Sequence, residues 1–233
     1  MNRNRLTLVG AAVGAAALIA VVLILAAGKS DTAATTTSTG ATTAPAGSSS
    51  PLAGIPQRGN TLGRASAPAT LVVYEDPQCP FCRSWNVDTL ATVISQFVRP
   101  GKLKLEYRGV VIIGPDSVRG LRAVYAAADQ NKLWNLVDAL YARQGAENSG
   151  WITNAVILAA ARDAGANGKA ILAGMGAASV NAALVNAQKQ ATADQLQGTP
   201  TFVIERPPAL AQQLSVSGLD PASFLPSLTA ALQ

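Results

Sequence analysis

Residues 6–27 (LTLVGAAVGAAALIAVVLILAA) form one uninterrupted apolar run without a charge. At 1.5 Å per residue, a helix of that length covers the roughly 30 Å hydrocarbon core of a bilayer. The pattern then changes abruptly. Residues 29–58 are dominated by Thr, Ser, Ala, Gly and Pro and hold too little apolar bulk to offset the entropy of ordering, which predicts a flexible linker. A glycosylated stalk is the competing reading of so Thr-rich a stretch. From residue 59 onward, periodicity returns. Residues 69–74 (ATLVVY) read as a buried strand that stops at Glu75-Asp76-Pro77, and Pro80 suits the first position of a helix. Leu90, Val93, Ile94 and Phe97 carry that helix to Pro100-Gly101, and residues 103–113 (LKLEYRGVVII) read as a second strand. Such a β-α-β unit predicts parallel strands with a right-handed crossover.

Residues 115–196 are alanine-rich and helical in period. Val118, Leu121, Val124 and Tyr125 make one stripe, and Leu133, Leu136, Val137, Leu140 and Tyr141 a second. Both stripes are read as core faces. A further helix starts at an N-capping Thr153 and ends at Gly165, and others cover about 169–175 and 180–194. After Gly198-Thr199-Pro200 come a third strand (TFVIE), a loop with Pro207-Pro208, a fourth strand near 214–217 placed to form a hairpin, and a closing helix over 221–232. The pattern therefore predicts an α/β domain over 59–233 with a helical insertion at about 115–196, preceded by an anchor or signal (1–28) and a linker (29–58).

Composition narrows the chemistry. The chain has 233 residues, two cysteines and no histidine. Nucleophilic triads that use imidazole, His-ligated metals and four-cysteine clusters are excluded. Net charge is +5, but Arg3 and Arg5 precede the apolar run and all acids follow it. The scattered remainder carries a weak field, with no basic run of the kind nucleic acid requires. By the positive-inside bias, Arg3 and Arg5 hold the N-terminus in the cytoplasm and send everything beyond Lys29 across the membrane. A secretory signal cleaved near Ala26-Ala27-Gly28 is the alternative, although its apolar region is usually only about 7–15 residues. Both readings deliver the domain outside the cytoplasm, where disulfides persist. No cysteine lies near the run to carry a lipid.

Both cysteines sit together in Asp76-Pro77-Gln78-Cys79-Pro80-Phe81-Cys82, between a predicted strand and the helix it feeds. There, unpaired amide N–H groups and the helix dipole favour a negative charge, so the pKa of Cys79 should fall by one to several units from about 8.5. Cys82, one turn further in, is expected to be more buried and to act as the resolving thiol. Pro80 and Phe81 carry no ionisable group and tune the pair through backbone geometry and desolvation. A metal site lacks ligands, and a structural bridge across so few residues would remove little unfolded-state entropy. A Cys-x-x-Cys beside a β-α-β pattern is a known thioredoxin-like sign.

The runs VVYEDPQCPFC and GTPTFVI, in that order and with a helical block between them, resemble the DsbA-like branch of the thioredoxin superfamily, extracytoplasmic thiol:disulfide oxidoreductases. The resemblance covers about 59–233. It implies a thioredoxin-like fold with an inserted helical subdomain, Cys79 as nucleophile, Cys82 as resolving thiol, and Thr199-Pro200 as a cis-proline loop facing the disulfide, where the Thr199 backbone pairs with an extended substrate strand. It further implies exported proteins with cysteines as substrates and a quinone-linked membrane reoxidant of the DsbB or vitamin K epoxide reductase kind, with no metal or organic cofactor. Three departures stand out. Val73 occupies the position where many relatives carry a buried acid, leaving Glu75 and Asp76 as candidate proton relays, though a carboxylate at a strand end is ordinarily solvated. Phe81 stands where strongly oxidising members have histidine. The turn after TFVIE is long and proline-bearing. The expected function is thus a membrane-tethered thiol:disulfide oxidoreductase, with a reductase or isomerase, or a non-catalytic binding or chaperone module, as the alternatives.

Overall fold

The computed structural model describes residues 50–233. The expected membrane segment and the linker up to residue 49 lie outside the described residues. Among the described residues, no single helix is long and apolar enough to cross a membrane. The folded part begins earlier than the expected residue 59: Leu52 and Ile55 are already buried. They lead into a short hairpin, β1 (Gln57–Arg58) and β2 (Thr61–Leu62). Sequence periodicity misses this hairpin because only Leu62 of its four strand residues is buried, too few for alternation to register.

The strands that build the site are β3 (Thr70–Glu75) and β4 (Lys104–Gly109), paired in parallel from Thr70↔Lys104 to Glu75↔Gly109. Between them run α1 (Pro80–Asp88), α2 (Leu90–Val93) and a π-helical turn over Ile94–Val98. The single helix expected here is broken at Thr89, whose hydroxyl donates to the Leu219 carbonyl. The second strand also ends sooner than expected, at Gly109 rather than residue 113. Ile112 and Ile113 direct their amides to the Asp76 carboxylate instead of a strand neighbour.

Five helices follow as the insertion: α3 (Pro115–Ala128), α4 (Leu133–Tyr141), α5 (Asn154–Asp163), α6 (Gly168–Gly174) and α7 (Ala178–Ala193). Thr153 caps α5 as its sequence predicts, accepting from the Val156 amide. The chain then returns through β5 (Thr201–Glu205), antiparallel to β3, and β6 (Gln212–Gln213), antiparallel to β5. The expected hairpin is present, but its second strand lies at 212–213 and not 214–217. Leu214 adds one more bond, from its amide to the Phe202 carbonyl, and the chain then leaves the sheet. Helix α8 (Pro221–Ala231), capped by Asp220, closes the fold. The sheet order is β1-β2-β4-β3-β5-β6.

Alternation along the central strands sends Leu71, Val73, Leu105, Tyr107, Phe202 and Ile204 into the main core, and Val72, Tyr74 and Val203 into a smaller cluster on the other face. Trp85 of α1 packs on Phe202 and Phe224, with ring centroids 5.1 and 5.8 Å away. This seats the first helix on the sheet immediately behind the cysteines. Gly109 is a required close approach: a Cβ there would lie 2.2 Å from Leu121 Cδ2, so α3 packs directly against the end of β4.

Candidate active site

Strand β3 delivers the chain to Asp76, and the following turn presents Cys79 as the N-cap of α1, with Pro80 in the first turn where its missing N–H costs no hydrogen bond. Cys79 Sγ accepts from the Cys82 amide at 3.5 Å. The Thr199–Pro200 peptide is cis, as the resemblance implies, and the Thr199 carbonyl oxygen lies 3.2 Å from Cys79 Sγ. The fold thus brings together two sequence segments 120 residues apart. Phe81 is 64% exposed beside the pair, Cys79 only 4%, and Cys82 is sealed. Both thiols are free, so this is the reduced form.

The two sulfurs titrate in opposite directions. The Cys82 thiol, hydrogen-bonded to Cys79, is the largest influence pulling Cys79 down to about 6. The Thr199 side chain and the amides of Cys82 and Phe81 add to this pull, and burial opposes it. Burial pushes Cys82 well above the ordinary thiol range, and its bond to Cys79 pushes the same way. One sulfur is therefore a thiolate at neutral pH while the other keeps the proton that stabilises it.

The two candidate acids are both fully buried, contrary to the solvated strand end expected of them. They differ in everything else. Both oxygens of Asp76 are occupied, Oδ1 by the Gln78 amide and the Ser117 hydroxyl, Oδ2 by the amides of Ile112 and Ile113. A carboxylate so engaged has no oxygen left to relay a proton. Glu75 faces the cysteine side of the sheet. The Tyr141 hydroxyl lies 3.3 Å from its Oε2 and 3.1 Å from the Asp76 carbonyl oxygen, one proton shared between two acceptors. Glu75 Oε1 has no partner among the described residues. Burial raises the Glu75 carboxyl well above its usual range, only partly countered by Tyr141, and the Cys79 charge raises it further. Val73 supplies no acid, and Glu75, two positions later, supplies one to the same core.

Sequence reasoning left Tyr141 in a core stripe and did not single out Gln78, Ser117, Gln144 or Asn148. A buried tyrosine hydroxyl needs a partner, and that is the one signal that could have marked Tyr141. The four polar residues carry no recognisable spacing. Among the described residues, no group of three or more metal-ligating side chains could hold an ion.

A dithiol at the N-terminus of a helix, opposed by a cis-proline loop on a mixed sheet with a helical insertion, defines a thioredoxin-fold protein. Residues 57–209 match the family model described as Thioredoxin, and the chain belongs to that family. It is 33% identical over 100 residues to the probable disulfide bond formation protein D of Bacillus anthracis, a match covering 42% of this chain and 46% of that protein. It is 26% identical over 98 residues to disulfide bond formation protein D of Bacillus subtilis, covering 40% and 42%. The chain thus spans less than half the length of these curated relatives. Among solved structures, oxidised BdbD from Bacillus subtilis superposes with a TM-score of 0.64 at 18% identity, over 76% of this chain and 97% of that one, a likeness of fold. A thioredoxin-like oxidoreductase from Silicibacter pomeroyi gives 0.57 at 25% identity, over 76% and 91%.

Proposed function

We propose that this protein is a thiol:disulfide oxidoreductase that introduces or exchanges disulfides in exported proteins. The reading rests chiefly on one observation: Cys79 caps α1 with its sulfur against the Cys82 amide and thiol, contacts that lower its pKa to about 6. A thiolate stabilised in the reduced form favours that form, and so favours the oxidised form as an acceptor of electrons. In the oxidising direction, a substrate thiolate attacks Cys79 Sγ of the Cys79–Cys82 disulfide. The S–S bond breaks, Cys82 leaves with the electron pair and takes a proton, and a mixed disulfide forms. A second substrate thiolate then attacks the substrate sulfur and releases Cys79 as thiolate. The substrate loses two electrons and the protein gains them. Glu75, the acid with an unpaired oxygen beside this pair, exchanges the Cys82 proton, and the Thr199-Pro200 loop lines up the substrate backbone.

Names of the curated relatives, which concern disulfide bond formation, support the reaction class. The apolar run at 6–27 flanked by Arg3 and Arg5 supports a single-pass anchor with the domain outside. Turnover then requires an oxidant, and a quinone-linked membrane protein of the DsbB or vitamin K epoxide reductase kind fits that need. The test is oxidation of a reduced, unfolded protein by the oxidised enzyme. Cys79→Ser should abolish it, and Cys82→Ala should accumulate mixed disulfides through Cys79. Undiminished oxidation by Cys79→Ser would leave a binding module instead.

A further inference from the structure

Cys79 sits on a turn, and turns are ordinarily the mobile parts of a fold. Here the three residues before it are tied down at nearly every polar atom. Asp76 is the knot: it gathers the Gln78 amide at 2.8 Å, the Ser117 hydroxyl at 2.6 Å, and the amides of Ile112 and Ile113 at 2.8 and 3.0 Å. The Asp76 carbonyl accepts from the Cys79 amide at 2.9 Å. Gln78, 1% exposed, extends the tie. Its Nε2 donates to Ser117 Oγ at 2.8 Å and to Asn148 Oδ1 at 3.2 Å, and its Oε1 accepts from the Asn148 amide at 2.7 Å. Gln144 Nε2 donates to the carbonyls of Pro77 and Cys79 at 3.0 and 3.1 Å. Apolar contact completes the seat, since a Cβ on Gly120 of α3 would come within 2.8 Å of Pro77 Cγ. Every outside partner belongs to the helical insertion or to the loop entering it.

We infer that Asp76 and Gln78 are positioning residues that fasten the nucleophile's turn to the helical insertion, and that this fastening holds Cys79 Sγ against the thiol and amide of Cys82. The inference rests on the reading of Cys79 as nucleophile. Its physical content is geometric. The Cys82 amide contact at 3.5 Å depends on alignment, so a turn released from α3 and from the loop between α4 and α5 holds the sulfur's charge less well.

The experiment follows the pH dependence of Cys79 alkylation by iodoacetamide in the reduced, full-length protein. Asp76→Asn turns an NH2 donor, in place of one accepting oxygen, toward converging donors, and Ser117→Ala removes the hydroxyl through which Asp76 and Gln78 meet. Leu62→Ala, at the opposite end of the sheet beside Leu105, is the control that loosens the fold without touching the turn. The expected result is a midpoint moved upward in both strap variants, read at pH 5 as an alkylation rate lower by about threefold or more, with Leu62→Ala at the parent midpoint. Should Asp76→Asn fail to fold, Ser117→Ala decides alone. Strap variants that keep the parent midpoint overturn the inference, as does an equal shift in Leu62→Ala. A parent whose Cys79 titrates like a free thiol overturns this inference and the proposed function together.

Discussion

On the face of the sheet that carries Leu71 and Val73, Glu75 is buried with one shared tyrosine proton and one bare oxygen. One residue earlier and on the other face, Tyr74 belongs to a saturated network. Arg108 Nε meets Glu106 at 2.8 Å, its NH2 meets Glu205 at 3.2 Å, and its NH1 meets the Tyr74 hydroxyl at 2.8 Å and lies 3.6 Å from Asp194. The Tyr74 hydroxyl in turn donates to Asp194. Both regions remove charge-bearing groups from water, which is costly unless the charges are paired. The Arg108 side pairs them, and so ties β3, β4, β5 and the end of α7 into one frame. The Glu75 side does not, and the result is a carboxyl that gives up its proton reluctantly beside a cysteine that, in the proposed cycle, gains and loses one. Pairing builds the scaffold, and withheld pairing makes a group available for chemistry.

The largest expected effect comes from breaking the paired side. Arg108→Ala leaves Glu106, Glu205 and Asp194 without their common cation, and should cost about 3 kcal/mol in chemical denaturation, while the Cys79 alkylation midpoint stays near 6. A moved midpoint would show that the two faces are not separable. The unpaired side predicts the reverse sign. Burial raises the folded pKa of Glu75 above its ordinary 4.5, so the native state holds that proton more tightly than the unfolded chain. The resulting penalty is absent below about pH 4.5 and grows as pH rises toward the folded value. Glu75→Gln carries no charge to penalise. It should match the parent near pH 4 and exceed its stability at pH 7, while slowing disulfide exchange. A parent with no such pH-dependent deficit would mean that Glu75 is solvated after all.

How much of this was legible beforehand follows from the range of the interactions. Cys79, Cys82 and the strand-helix junction are local, and so is Thr199-Pro200. Period and spacing identify them, and the family resemblance joins them. The parallel β3–β4 pair follows from two apolar runs and a helix. The β1–β2 hairpin does not, because two-residue strands are too short to alternate. Adjacent Glu75 and Asp76 are indistinguishable by sequence, and their different fates depend on Tyr141, Ser117, Ile112 and Ile113, which lie 36 to 66 residues away. Arg108 reads as the last charged position of a strand that alternates early, until β5 and α7 bring Glu205 and Asp194 to it.

The finest test of the contrast removes one oxygen from the paired side. In Tyr74→Phe, Arg108 keeps Glu106 and Glu205, and Asp194 remains 3.6 Å from its NH1, so the frame loses a hydrogen-bonding bridge but no charge. About 1 kcal/mol is expected at neutral pH. Burial, reinforced by the bond to Asp194, pushes the Tyr74 hydroxyl up to about 12 from 10.0. A tyrosine that keeps its proton in the native state but loses it when unfolded contributes stability below pH 10 that drains away as pH climbs toward 12. The parent therefore loses this contribution across that window and Tyr74→Phe has none to lose. The difference between the two proteins, measured by denaturation at pH 7 and pH 11, should shrink or reverse at the higher pH. An unchanged difference would mean that the hydroxyl is not held by the network, and that Arg108 is paired by carboxylates alone.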